Sequence, residues 1–133
     1  MKASPTSRTL ELLRDHGMVC AVVEKWNPHA KIRQDLYGFI DIVALDPKWD
    51  VAIGVQCTTG SNLAARVEKI QASKEAMLWS KCSNRIYAIG WRKVGAAGKR
   101  KLWDARILQM EYTVPTSGAP WSWVVFEIEP EAL

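Results

Sequence analysis

No apolar run in this chain of 133 residues approaches the roughly 20 needed to cross a bilayer. The opening residues, Met1 to Arg8, are polar and lack the apolar stretch of a secretory signal. Cysteine is scarce: Cys20, Cys57 and Cys82 are odd in number, widely spaced and form no C-x-x-C pair. That argues against a disulfide framework and against a zinc site built from cysteine. Histidine is scarcer still, with only His16 and His29. Internal repeats and low-complexity blocks are lacking. A reducing, cytoplasmic setting with no membrane partner is the expectation.

What is present fits a globular chain. Hydrophobic residues make up 48% of it, enough for a real core, and the length suits one domain over 1–133. Lysine and arginine number 18 against 14 acids, a net charge of +4 that permits a polyanionic partner. Seven tryptophans are many for this length and are expected mostly as core or half-exposed packing residues.

The pattern predicts a helix from a cap at Thr6 or Ser7 to Gly17, with Leu10, Leu12 and Leu13 as its apolar stripe. Residues 19–26 read as a strand, 27–38 as a loop, 39–45 as a second strand and 51–58 as a third, antiparallel to the second. A helix opens at Gly60-Ser61-Asn62. Its buried face carries Leu63, Val67 and Ile70, and Asn62, Arg66, Lys69 and Ser73 share a polar, basic face. Helical propensity continues to Ser80. Residues 85–91 form a fourth strand, 92–101 a basic hairpin, and 102–112 and 121–128 further strands. The fold class is α/β, a central mixed sheet flanked by helices with extra C-terminal strands.

Asp41 is out of place inside the apolar run Phe39-Ile-Asp-Ile-Val. A buried carboxylate is costly unless it is paired or holds a cation. Gln56 and Thr58 share one face of the third strand while Cys57 points the other way, and antiparallel pairing brings Asp41 beside Gln56. The Asp41 carboxylate, the Gln56 amide oxygen and the Cys57 carbonyl form an oxygen-rich donor set suited to Mg²⁺ or Mn²⁺. The competing reading is a strand-end acid bonded to a loop beside a polar edge residue. Both readings stand on spacing alone. Cys57 itself reads as a buried structural cysteine, and neither histidine is assigned a catalytic role.

Helix, strand, strand with Asp, short turn, strand with a polar triplet, then helix resembles the PD-(D/E)XK nuclease superfamily. The resemblance covers 6–91 and is carried by Gly38-Phe39-Ile40-Asp41 and Gln56-Cys57-Thr58. It is similar to small Holliday-junction resolvases and to phage-type relatives in which Gln-x-Thr stands for (D/E)-x-K. The resemblance implies a restriction-endonuclease-like core and a Mg²⁺- or Mn²⁺-dependent DNA endonuclease, with branched DNA as a substrate and a homodimer as its assembly. Asp41, Gln56, Cys57 and Glu24 would hold the metal, with Asp35 next in line after Glu24. Glu11, on the first helix, reads better as a surface acid. Thr58 cannot supply the charge of the missing lysine, so Arg66 or Lys69 would replace it, with Lys25 and Arg33 as weaker substitutes.

Two basic groups complete the expectation. Lys25, Lys31 and Arg33 lie on one side of the site, and Arg92, Lys93, Lys99, Arg100 and Lys101 on the other. Both suit a phosphate backbone, with Trp26, Trp91 and Trp103 beside them to stack on bases. The alternative is a catalytically inactive nucleic-acid-binding module of the same fold, motivated by the loss of both the acid and the lysine.

Overall fold

The computed structural model describes residues 3–95, 98 and 100–133. Its first element is helix α1 (Pro5–Asp15). Its cap is Ser4, earlier than Thr6 or Ser7, because Pro5 needs no N–H partner and its fixed φ suits the first helical turn. Ser4 and Ser7 exchange backbone-to-hydroxyl bonds of 2.8 and 3.1 Å. The helix stops at His16, and Gly17 takes a positive φ of 84°.

The expected strand over 19–26 divides in two. Strand β1 (Val19–Val22) joins the main sheet, and β2 (Lys25–Asn27) pairs instead with β3 (Ile32–Gln34). The expected loop over 27–38 is therefore largely a β-hairpin. Asn27 closes its turn by accepting from the N–H groups of His29 and Ala30 at 3.0 and 3.1 Å. Strand β4 (Ile42–Asp46) starts after Asp41, and β5 (Val51–Thr59) follows a turn in which Asp46 accepts from the Lys48 N–H at 2.9 Å.

A short 3-10 turn (Gly60–Asn62) leads into α2 (Leu63–Gln71). The expected continuous helical stretch breaks at Ala72 and Ser73, where Ser73 accepts from the Ala76 N–H at 3.1 Å and caps α3 (Lys74–Lys81). Asn62 and Ser73 thus flank α2 rather than share a helical face with Arg66 and Lys69. Strands β6 (Arg85–Val94), β7 (Leu102–Thr113) and β8 (Ser122–Ile128) complete the chain, with a final 3-10 turn (Pro130–Ala132).

The main sheet has the order β1-β4-β5-β6-β7-β8. Only β5 and β6 are parallel, because the helices α2 and α3 carry the chain across between them. Side chains alternate across this mixed sheet. On one face Ile53, Val55, Tyr87, Ile89 and Ile107 pack with Leu13 of α1. On the other, Ile86, Ala88 and Met110 pack with Leu63, Ile70 and Ala76 of α2 and α3. Each fully buried aliphatic side chain contributes about 1.5–3 kcal/mol. Gly54 and Gly90 let the helices approach: a Cβ on Gly54 would lie 3.2 Å from Trp79 of α3, and one on Gly90 3.1 Å from Leu63 of α2. Of the seven tryptophans, Trp91 is buried and Trp26, Trp49, Trp103 and Trp121 are about half exposed, as expected of core or half-exposed packing residues. Among the described residues, no helix is long and apolar enough to cross a membrane.

Candidate metal centre

The register of the strands builds the site. In the β4–β5 pair Ile42 faces Val55, so the preceding residue, Asp41, faces Gln56. A tight corner does the same for Asp35. Leu36 and Ile40 bridge each other, through N–H···O bonds of 2.9 and 3.0 Å, around Tyr37 and Gly38, both at positive φ. Continuing that pairing by one residue sets Asp35 opposite Asp41. Glu24 arrives from β1, whose exit is held by the Val23 N–H donating to the Asp41 carbonyl at 2.9 Å. Carboxylate oxygens of Glu24, Asp35 and Asp41 consequently lie within 4.8 Å of one another. Glu24 occupies the link between β1 and β2, not the first strand itself.

Asp41 is the buried member, 3% exposed. Its Oδ2 accepts from Gln56 Nε2 at 2.7 Å and from the Cys57 N–H at 2.8 Å. Burial pushes its carboxyl up from 3.8 to about 8, helped by the hydrogen-bonded, like-charged Asp35 and opposed by the Cys57 N–H and Gln56. The Asp41 carboxyl therefore holds its proton more tightly than an ordinary carboxyl does. Two cations brace the other acids: Arg33 reaches Glu24 at 2.7 Å, and Lys69 of α2 reaches Asp35 at 3.6 Å.

Gln56 behaves differently from the expectation of an oxygen ligand. Its amide nitrogen faces the acids, donating also to Asp35 at 3.4 Å, because the carboxyl oxygens it meets act as acceptors. Its Oε1 is buried with no partner. Cys57 meets Asp41 through its N–H, and its side chain lies in the core on the α1 face. Burial pushes that thiol up to about 12, so it stays protonated and is no nucleophile. Thr58 is buried two residues beyond Gln56.

Three converging carboxylates, Glu24, Asp35 and Asp41, are placed so that they could hold a metal ion. The set differs from the sequence expectation in containing Asp35 from the start. It differs also in Arg66, which makes no ion pair among the described residues, whereas Lys69 does. The role of Arg33 as the partner of Glu24 was not foreseen. Its signal was the Asn27 turn, which folds β3 back on β2 and returns Arg33 toward Glu24.

The basic groups sit where the register carries them. Glu24, Asp41 and Gln56 occupy the end of the sheet from which the β2–β3 hairpin leaves β1. Thr59 faces Trp91, so Arg92 and Lys93 extend β6 past that same end. Lys25, Lys31 and Arg33 are exposed on the first hairpin, and Arg92, Lys93, Arg100 and Lys101 on the second. Lys99 lies outside the described residues. Of the tryptophans expected to stack on bases, Trp91 is excluded: it is buried and donates to Thr9 Oγ1 at 2.8 Å. Trp103 is exposed but held under Arg8 at 3.9 Å, and Trp26 is 59% exposed.

No family model, curated protein or solved structure matches this chain.

Proposed function

We propose that the chain is a metal-dependent DNA endonuclease with a divergent restriction-endonuclease-like core. The convergence of Glu24, Asp35 and Asp41 beside Lys69 carries this reading. Glu24, Asp35 and Asp41 would hold Mg²⁺ or Mn²⁺. Such a cation, when bound, acidifies coordinated water and stabilises charge on a phosphoryl oxygen. The remaining work falls to the chain itself. Gln56 and the Cys57 N–H orient the Asp41 carboxylate. Lys69, whose stem rises from α2, supplies the positive charge that Thr58 lacks and stabilises charge on the phosphate. Arg33 and the two exposed basic hairpins seat the phosphate backbone across the site. A branched substrate and a homodimer follow from the likeness to resolvases.

The experiment is a Mn²⁺ titration of the wild type and Asp41→Asn. Saturable binding that is lost in the variant supports the reading, and equal binding by both contradicts it.

A second reading has its own observation. Gln56 stands at an acid position, and two of the three acids are already paired with Arg33 and Lys69. On that reading the fold binds nucleic acid without cutting it, and DNA affinity is the same with metal or with EDTA.

A further inference from the structure

The end of the sheet opposite the acids carries a second cluster that the proposed reaction does not use. A cavity of about 420 Å³ opens there, where β5 and β6 begin and β7 ends. Its volume falls in the range of small-molecule sites, about 300–1,000 Å³. One wall is aromatic: the rings of Tyr112 and Trp121 stack at 5.7 Å with 20° between their planes. Trp121 remains 48% exposed.

Two cations border this wall. Lys81 Nζ lies 4.5 Å from the Trp121 ring, and Arg85 lines the same cavity. Neither forms an ion pair with a carboxylate among the described residues. The wall is fastened rather than loose. Ser80, beside Lys81 on α3, accepts from the Tyr112 N–H at 2.9 Å and ties that helix to β7. Glu111 adds one acceptor to the lining.

We propose that this cavity binds single-stranded nucleic acid, one base stacking on the Trp121–Tyr112 wall and the adjoining phosphate pairing with Lys81 and Arg85. An exposed aromatic beside unpaired cations is the combination that single strands use, because every base offers a π face and every link a charge. Glu111 favours a base over a purely anionic ligand: it accepts from base N–H groups, the N3–H of thymine among them, and repels a bare phosphate or an acidic peptide. Paired duplex keeps its bases stacked on each other and gains nothing from Trp121. The site is separate from the acids. Val51 lines the cavity and Gln56 touches Asp41, five residues apart on β5, or about 17 Å of strand. The binding claim therefore does not rest on the nuclease reading.

The test is fluorescence anisotropy of a labelled oligothymidine with the full chain in EDTA, beside a duplex of equal length. Trp121→Ala weakens single-strand binding about tenfold, and Trp121→Phe keeps most of it. Lys81→Ala lowers the slope of affinity against salt. Duplex affinity is unchanged in all three, and thermal midpoints report that each is folded. Asp41→Asn retains single-strand binding, so failure of cleavage and failure of this site are distinguishable. The proposal is overturned if the wild type does not bind the oligothymidine. It is overturned equally if Trp121→Ala and Lys81→Ala bind as the wild type does, or if duplex binding falls in parallel.

Discussion

Gln56 donates its side-chain amide to Asp41 at 2.7 Å, across fifteen residues of sequence and one antiparallel strand pair. The bond fixes one carboxylate oxygen of Asp41, and the Cys57 N–H meets that same oxygen. Burial and the neighbouring Asp35 raise that carboxyl well above the ordinary carboxylate range, so a bound cation would compete with its proton. Several expected outcomes derive from that competition.

The first concerns pH. In the folded protein the Asp41 carboxyl is raised from 3.8 to about 8, chiefly by burial and then by Asp35. Between those values the folded chain holds a proton that the unfolded chain releases, so stability falls as pH rises. The contribution is fully present below about pH 4 and lost as pH climbs through about 8. Thermal midpoints in EDTA are therefore lower at pH 8.5 than at pH 5, and Mn²⁺ raises the midpoint more at the higher pH. A flat profile in EDTA contradicts the raised Asp41 carboxyl.

Gln56→Glu tests the amide directly. The variant places a further buried carboxyl against Asp41 and Asp35, which lowers stability without metal. It also adds a charged ligand, which raises Mn²⁺ affinity. Calorimetry with and without Mn²⁺ reads both signs, and a stability change of the same sign in both conditions counts against the assignment.

Lys69 and Arg66 separate by function. Lys69 contacts Asp35, so Lys69→Ala reduces cleavage by a factor on the order of 10²–10³, the usual loss for one group stabilising transition-state charge. Arg66→Ala stays within a few-fold of wild type. Rates measured at saturating metal decide between them, and full activity in both variants removes the lysine-replacement claim.

Thr9 anchors α1 to the sheet by accepting from Trp91 Nε1 at 2.8 Å while donating to the Pro5 carbonyl at 2.7 Å. Thr9→Val leaves the buried indole N–H without a partner and costs about 1–3 kcal/mol. Denaturant titration measures the loss. Metal affinity is unchanged, because Trp91 lies on the opposite face of the sheet from Gln56.

The order of the main elements was legible because β-branched runs such as Val51 to Val55 and the Leu63, Val67, Ile70 spacing carry their periods openly. The pairing of Asp41 with Gln56 was legible too, since it needs only antiparallel register and alternation. The β2–β3 hairpin was not. Its strands are three residues long and mostly exposed, so no contrast of apolar and polar faces marks them. Asp35 depended on the Leu36–Ile40 corner, where Tyr37 adopts a positive φ of 54°, a conformation that its residue type does not advertise. The cap falls at Ser4 because Pro5, with no N–H to satisfy and a fixed φ, suits the first helical position. Trp91 looked available beside a basic segment, but alternation along β6 turns it into the core on the α1 face.

The most direct measurement is cleavage of linear, flapped and four-way-junction DNA with Mg²⁺, Mn²⁺ or EDTA, comparing wild type with Asp41→Ala. The account predicts cutting by the wild type with either metal, none in EDTA and none by the variant. Absence of cutting by the wild type under every metal, or cutting that survives in Asp41→Ala, contradicts it.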